Sequence, residues 1–383
     1  MDRFDVVVVG SGPAGATAAR ELAARSVRVL LVERGPFDRD KPCGGGVVAG
    51  AAREIPFSIE PVVERRVRGF RLRLPRGRTL RHTSETGLAQ MTRRSRLDPF
   101  LVARASERGA RVDDHRRVRA VERDGTGFLV RFGRGDSARA SAVVGADGAG
   151  GVVRGSLGLA ALPRLVALEA DAARVPERYA EHVGIGLGVA RGGFSWVFPK
   201  LDRCNLGVGG AASEARSLRG SLEELFRREG LDPAAGSVRG HPIPVRDRSP
   251  LGRGPALLVG DAAGLADPLS GEGIGAALRS GRIAAEEIHR FLSGAAPDLR
   301  GYAARIESEI GRHLRVAARL HALLHRFPGA WFAVLGRSRL AHRLICALLE
   351  GSVGYADLCA RLGPLGRWLA RAPRGAPEEG SLG

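Results

Sequence analysis

The sequence predicts an α/β protein. A parallel-sheet unit is interrupted by a mostly antiparallel β region and followed by helices. Three observations carry this. An apolar N-terminal run meets a glycine-rich turn and a helix-forming stretch, two later apolar runs end in glycine-flanked aspartates, and alternating strand-like runs fill the intervals. The 383 residues are 44% apolar and 26% charged, too apolar for disorder. That length gives two closely built domains, or one large one, ample core.

Phe4-Asp5-Val6-Val7-Val8-Val9 reads as a parallel strand buried on both faces. Gly10-Ser11-Gly12-Pro13-Ala14-Gly15 follows, then the helix-forming Ala16–Ala23, and a second strand, Val27–Val32, ends at Glu33-Arg34. Gly10 permits the tight turn, Gly12 lets the backbone approach a pyrophosphate, and Gly15 lets helix and strand pack closely. Pro13 and Ala14 open a helix whose orphan N–H groups and dipole favour an anion. Glu33, 23 residues after Gly10, stands where a carboxylate accepts hydrogen bonds from ribose hydroxyls. This motif alone does not separate FAD from NAD.

Arg94-Ser95-Arg96-Leu97-Asp98 opens a helix running to Glu107. Gly69–Leu74 and Thr79–His82 alternate like antiparallel strands, and Val118–Val144 reads as a β-meander with Asp124-Gly125 as a hairpin turn. Ala142-Val143-Val144-Gly145 runs into Ala146-Asp147-Gly148, and about four more strand-like runs lie between Leu165 and Ala211. Pro255–Val259 repeats the theme, running into Gly260-Asp261. Gly271-Glu272-Gly273-Ile274-Gly275 then opens a long helix, Ala276–Phe291. Tyr302–His325 is helical, and a polar tail starts at Pro373. The expected division is a nucleotide-binding domain from 1–51, 91–158 and 253–291 and a β domain from 52–90 and 159–252. A helical region, 292–372, and the tail, 373–383, complete it.

These three motifs in order resemble the FAD-binding fold of the glutathione-reductase superfamily, in its branch of aromatic hydroxylases and geranylgeranyl reductases. The resemblance implies a Rossmann-like FAD-binding domain. It places Gly260 and Asp261 at the ribityl and pyrophosphate part of FAD, and Gly271, Gly273, Ile274 and Gly275 beside the flavin N1–C2=O edge. A helix dipole at that edge would stabilise an anionic reduced flavin. Arg94, four residues before Asp98, would reach the FAD phosphates. Gly10, Gly12, Pro13, Ala14, Gly15, Glu33, Arg34, Cys43, Gly44, Asp147 and Gly148 complete the implied cofactor contacts.

Two further segments narrow the branch: Lys41-Pro42-Cys43-Gly44-Gly45-Gly46-Val47, and Gly193-Phe194-Ser195-Trp196-Val197-Phe198-Pro199-Lys200 leading into Asn205–Gly210. Together they resemble the geranylgeranyl reductase family, which has a Cys-Gly-Gly-Gly segment near the flavin and a Tyr-x-Trp-x-Phe-Pro segment lining a lipid pocket. Phe194 replaces the tyrosine, while Trp196, Phe198 and Pro199 match. The likeness covers roughly residues 1–290. It implies substrate contacts at Gly45, Gly46, Phe194, Trp196, Phe198 and Pro199. The implied activity is reduction of prenyl carbon–carbon double bonds, with electrons from NADPH or a protein donor. An isolated alkene accepts hydride poorly, so an acid must protonate it in step; Cys43, or a water it holds, is the candidate. The residues leave other readings open. The three aromatics alternate at period two and fit one buried sheet face, and Cys43 fits a tight turn as a small residue. Aromatic monooxygenase, halogenase and non-catalytic prenyl carrier are the alternatives, the carrier disfavoured by the intact Gly10–Gly15, Asp147 and Asp261.

The net charge is +19, and every basic residue except Lys41 and Lys200 is arginine. With 54 glycines, this fits GC-rich codon usage, or attraction to an anionic membrane. No nucleic-acid-binding signature accompanies the charge. Cys43, Cys204, Cys346 and Cys359 lack CxxC spacing, so neither a disulfide framework nor a metal site is expected, and a reducing cytoplasm fits. The N-terminus runs straight into the Phe4–Val9 strand without a basic n-region or a cleavable apolar segment, so secretion is not expected. Trp331–Val353, the best membrane-span candidate, carries Arg337, Arg339, His342 and Arg343. From Arg312 to Arg371, arginines interleave with Leu, Ile, Trp and Phe. Such helices either lie in a membrane interface or pack on the FAD domain.

Overall fold

Val6, Val7 and Val8 have no exposed surface, because the first strand, β1 (Asp2–Val9), is flanked on both sides by parallel neighbours and covered on both faces. In the computed structural model, which describes residues 1–74, 77–85, 87–189, 193–327, 354–370 and short pieces between 329 and 348, β1 pairs with Ser137–Gly145 on one side. On the other it pairs with β2 (Val29–Val32). Ala256–Leu258 and Arg111–Asp113 extend this parallel core outward. The hairpin Val118–Asp124 and Gly127–Phe132 hangs antiparallel on Ser137–Gly145, turning at the expected Asp124-Gly125. Helix α1 (Pro13–Ala23) packs between the Ile274–Leu292 and Arg94–Ser106 helices.

The second sheet has seven strands in the order Arg239–Pro244, Arg164–Ala172, Cys204–Ala211, Phe194–Pro199, His182–Leu187, Gly69–Arg73, Thr79–Thr83. On one face Leu206, Val208 and Ala170 pack with Leu218, Leu222, Leu225 and Phe226 of the Ala215–Glu229 helix. That helix is amphipathic, and these four residues recur at helical spacing. The opposite face is turned toward the first sheet. Gly46–Val48, Ala89–Met91 and Arg65–Val67 form a third, three-stranded antiparallel sheet.

The C-terminal helices are anchored by Tyr302, whose hydroxyl donates to the Leu258 carbonyl at 2.7 Å. The expected Tyr302–His325 helix is interrupted by a π turn at Glu307–Gly311 before it resumes as Arg312–Arg326. Val316 and Leu320 pack with Leu358, Cys359 and Leu369 of two short helices, Tyr355–Arg361 and Gly363–Ala370. Among the described residues no helix is long and apolar enough to cross a membrane. Of the expected apolar runs Trp331–Leu335 and Leu344–Leu349, the residues Trp331, Phe332, Val334, Leu335, Ile345 and Leu349 lie outside the described residues, as does the tail from Pro373. The architecture is the expected α/β one: a Rossmann-like parallel sheet, antiparallel sheets and C-terminal helices.

Candidate active site

A cavity of about 1550 Å³ opens between the two large sheets, at the carboxyl ends of the parallel strands, where doubly wound sheets place ligands. Val9, Val32, Ala146 and Val259 reach it from four of these strands or their immediate ends. Gly10 makes the turn at φ +101°, with a Cβ there only 2.4 Å from the Ala146 carbonyl oxygen. A Cβ on Gly15 would stand 1.9 Å from the Gly10 oxygen, so Gly15 lies beneath the turn rather than in the cavity wall. Gly12, Pro13 and Ala14 do line the cavity. No side chain caps the N-terminus of α1 there, so its first N–H groups are available to an anion.

Glu33 braces this turn. Its Oε2 accepts the Ser11 amide at 3.0 Å and the Ser11 hydroxyl at 2.9 Å, and its Oε1 accepts the Arg34 amide at 2.9 Å. Both Glu33 and Arg34 line the cavity. Arg94 is buried and grips Asp98 through two bonds, 2.6 and 2.7 Å. Burial works against its charge, but Asp98 outweighs burial and holds the guanidinium firmly protonated. Its Nη2 would stand 3.3 Å from a Cβ on Gly12, which puts the cation beside the glycine turn.

Asp147 accepts the Val153 amide at 2.9 Å through Oδ2, while its buried Oδ1 has no partner among the described residues. Burial pushes its carboxyl upward against that amide. Gly148, beside it, also lines the cavity. Asp261 receives Lys41 Nζ at 3.0 Å, with His241 Nε2 at 3.8 Å. Burial alone would raise its pKa, yet Lys41 and His241 hold the carboxylate far below its usual range. Gly260, Gly271, Gly273, Ile274 and Gly275 all line the cavity. Glu272 Oε1 accepts the Gly275 amide at 2.7 Å and so caps the helix start; burial pushes Glu272 toward its neutral form. The preceding loop is braced from the C-terminal region, where the Tyr355 hydroxyl donates to Asp267 at 2.7 Å. An uncapped helix N-terminus, an open glycine turn with Arg94 beside it and an orphaned aspartate oxygen fit a dinucleotide such as FAD.

The wall opposite belongs to the seven-stranded sheet. Phe194, Trp196 and Phe198 project from one strand face into the cavity, beside Leu72, Ile185 and Leu187. Neighbouring glycines make room: a Cβ on Gly207 would stand 2.0 Å from the Trp196 ring, and one on Gly209 2.6 Å from Phe194. The indole N–H of Trp196 donates to Asn205 Oδ1 at 2.7 Å. The period-two pattern is thus one sheet face, and that face is the cavity wall. Gly44 lines the cavity against Phe198. Three expected substrate contacts need correction. Gly45 (φ +65°) packs against the Thr92 carbonyl, Gly46 faces Met91, and Pro199 falls on the alternate face of its strand, so none lines the cavity.

Sequence reasoning missed several lining residues. Leu320, Leu323, Leu324 and Phe327 recur at helical spacing along one face of the Arg312–Arg326 helix and its end, and all face the cavity. Lys41 lines the cavity too, while Lys200 is buried behind Gly44 and does not line it. Lys200 Nζ donates to the Gly44 and Thr92 carbonyls, and burial pushes it down to about 8. Cys43 lines the cavity half-buried; its amide donates to Glu169 Oε1 at 3.1 Å, and its sulfur accepts the Gly45 amide at 3.4 Å. Glu169 is 4% exposed, and burial, opposed by Arg239 and the Cys43 amide, pushes its carboxyl up to about 7.

Glu169 gives the site a stability signature. Its folded pKa, about 7, lies above the unfolded value of 4.5, so its favourable contribution is present below pH 4.5 and is lost as pH rises through 7. Glu169→Gln cannot ionise. It should therefore gain on the wild type by about 2 kcal/mol between pH 5 and pH 8. Denaturant unfolding of both proteins at the two pH values measures this, and a constant gap would contradict it.

Residues 5–156 match the family model for FAD dependent oxidoreductases. The chain is 32% identical to the chloroplastic geranylgeranyl diphosphate reductase of Oryza sativa subsp. japonica, across 94% of this chain and 78% of that protein. It is also 32% identical to geranylgeranyl diphosphate reductase of Rhodobacter capsulatus, across 82% of each. Among solved structures, a geranylgeranyl bacteriochlorophyll reductase-like protein from Thermoplasma acidophilum superposes with a TM-score of 0.78 at 24% identity, covering 85% of this chain and 88% of that one.

Proposed function

The chain belongs to the geranylgeranyl reductase family of FAD-dependent oxidoreductases, and on that premise we propose that it reduces carbon–carbon double bonds of a prenyl, geranylgeranyl-type lipid or side chain. The observation that supports this reading is the continuity of the cavity. Its glycine-rich, cation-lined end fits a dinucleotide, and its walls run on through Phe194, Trp196 and Phe198 to Leu320, Leu323 and Phe327. A long apolar chain matches such a wall; a compact polar substrate does not.

Bound FAD would supply hydride-donor chemistry, with NADPH or a protein donor as the source of electrons. The division into FAD-binding and substrate-binding parts expected from the sequence belongs to the same proposal. Gly12, the α1 N-terminus and Arg94 would hold the pyrophosphate. Asp261, kept ionised by Lys41, would accept hydroxyl hydrogen bonds from the ribityl chain. Asp147 Oδ1 has an acceptor position to offer, and Glu33 stiffens the turn through Ser11. Phe194, Trp196 and Phe198 would hold the prenyl chain and exclude water. Cys43 stands where this wall meets the nucleotide cleft, placed to hold a proton or a water.

Phe198→Ala should raise the KM for a long prenyl chain roughly ten- to a hundredfold, because about 1.5–3 kcal/mol of apolar burial is lost, while flavin reduction is unchanged. Steady-state kinetics with chains of different length reads this split. Unchanged KM in a poorly soluble variant would show that Phe198 only packs.

Prenyl substrates reside in bilayers, and the same reading makes this a cytoplasmic protein that meets the membrane peripherally. Phe327 lines the cavity and is 55% exposed, and Trp368 is 49% exposed, with Arg319 bound to the Trp368 and Leu369 carbonyls. Association with anionic vesicles should weaken with salt. Sedimentation at low and high salt measures it, and no binding at low salt would rule it out.

A further inference from the structure

Strand register places Arg239, Glu169, Gly207, Trp196, Ile185 and Leu72 side by side in one row of the seven-stranded sheet. All but Arg239 and Gly207 line the cavity. Gly207 has no side chain of its own, and the Trp196 ring lies over it, on the Glu169 side of the aromatic wall. From the loop above, the Cys43 amide donates to Glu169 Oε1 at 3.1 Å. The carboxyl group is therefore held at the junction of the Cys43 loop and the aromatic wall, inside the cavity.

We propose that Glu169 is the proton donor for the reduction, an inference that rests on the prenyl-reductase reading above. Its carboxyl proton passes to one alkene carbon, while the other carbon accepts hydride from the two-electron-reduced flavin. The π bond breaks, two C–H bonds form, the flavin is left oxidised, and Glu169 is left as a carboxylate. Cys43 is then a positioning residue, holding Oε1 through its amide.

The charge environment supports a carboxyl that holds its proton at neutral pH. Arg239 is the cation nearest Glu169, at 3.5 Å, but it also serves Asp171 at 3.5 Å and Asp40. One guanidinium shared by three carboxylates does not offset the burial of Glu169. Lys41 is engaged with Asp261, Lys200 with two carbonyls, and His241 stands over Asp261 rather than Glu169. Burial, with Asp171 and Asp40 adding to it, outweighs Arg239 and pushes Glu169 up to about 7. Such a carboxyl is a better proton source at neutral pH than a thiol. Asp40 is exposed and Arg239 partly so, which gives the spent carboxylate a route to water for reprotonation.

The test has two parts, both on the flavin-loaded protein. Infrared difference spectra of protein carrying 13C-labelled glutamate should show a protonated carboxyl band that vanishes as pH rises through about 7 and is missing in Glu169→Gln. A wild type without that band overturns the proposal whatever the substrate. In anaerobic single turnover with geranylgeranyl diphosphate as probe, Glu169→Gln should slow double-bond reduction about a hundredfold while flavin content and flavin reduction stay normal. Glu169→Asp, which keeps the acid, should recover part of the rate. Wild-type rates in Glu169→Gln overturn the proposal and leave the prenyl reading intact. A wild type that reduces no prenyl chain overturns that reading and this role with it.

Discussion

Asp261→Ala is expected to leave the purified protein with no more than about a tenth of the wild-type flavin, since a charge-assisted hydrogen bond to a bound group contributes roughly 1.5–3 kcal/mol. Asp261 is the anchor of a small charge constellation, with Lys41 Nζ at 3.0 Å and His241 Nε2 at 3.8 Å. The alanine variant loses the acceptor and also leaves Lys41 in the cleft without its counter-ion. Asp261→Asn keeps the shape and one acceptor oxygen, so its loss should be smaller. The ratio of flavin to protein absorbance after purification measures all three proteins. A normal ratio in Asp261→Ala would remove Asp261 from the cofactor site.

Gly281→Val should destabilise the protein by about 3 kcal/mol or more and lower flavin retention with it. Gly281 lies on the Ile274–Leu292 helix where that helix crosses α1, and a Cβ there would stand 2.3 Å from the Ala14 carbonyl oxygen and 3.1 Å from its carbon. Backbone cannot rotate away as a side chain can, so one helix must move. Both helices start at the cavity, which ties this packing contact to the cofactor site. Gly220, inside the Ala215–Glu229 helix, has nothing within 4 Å of a Cβ position, and Gly220→Val should be close to neutral. Denaturant midpoints of the two variants should differ widely. Similar midpoints would show that the helix crossing tolerates the added volume.

The nucleotide end was legible because its signals are local. Gly10, Gly12 and Gly15 are required by a turn, an approach and a packing contact within six residues, and each aspartate follows directly on its strand. The polar part of the opposite wall was not legible. In the segment Leu168-Glu169-Ala170-Asp171, alternation of polar and apolar residues reads as a strand with its polar face in water. That face in fact forms the wall of a cavity, and only the register with Arg239–Pro244 and Cys204–Ala211 reveals it. Lys41 and Lys200 flanked recognised motifs without an assigned role, since their partners, Asp261 and the Gly44 and Thr92 carbonyls, are more than a hundred residues distant in sequence. Gly45, Gly46 and Pro199 err in the other direction. A contiguous motif suggests contiguous contacts, whereas a strand alternates faces and a turn buries its own backbone. The Leu320, Leu323, Leu324 and Phe327 stripe was visible as amphipathic, but its choice between a membrane, the FAD domain and the cavity depended on tertiary packing.

Reduction of a prenyl carbon–carbon double bond is the activity proposed for this cavity. Anaerobic incubation of the flavin-loaded, chemically reduced protein with a panel of prenyl lipids, followed by mass spectrometry, tests it most directly. Products two hydrogens heavier for each double bond reduced, formed without oxygen, are expected. Unchanged prenyl lipids, together with oxygen uptake coupled to NADPH oxidation and a hydroxylated aromatic product, would contradict it.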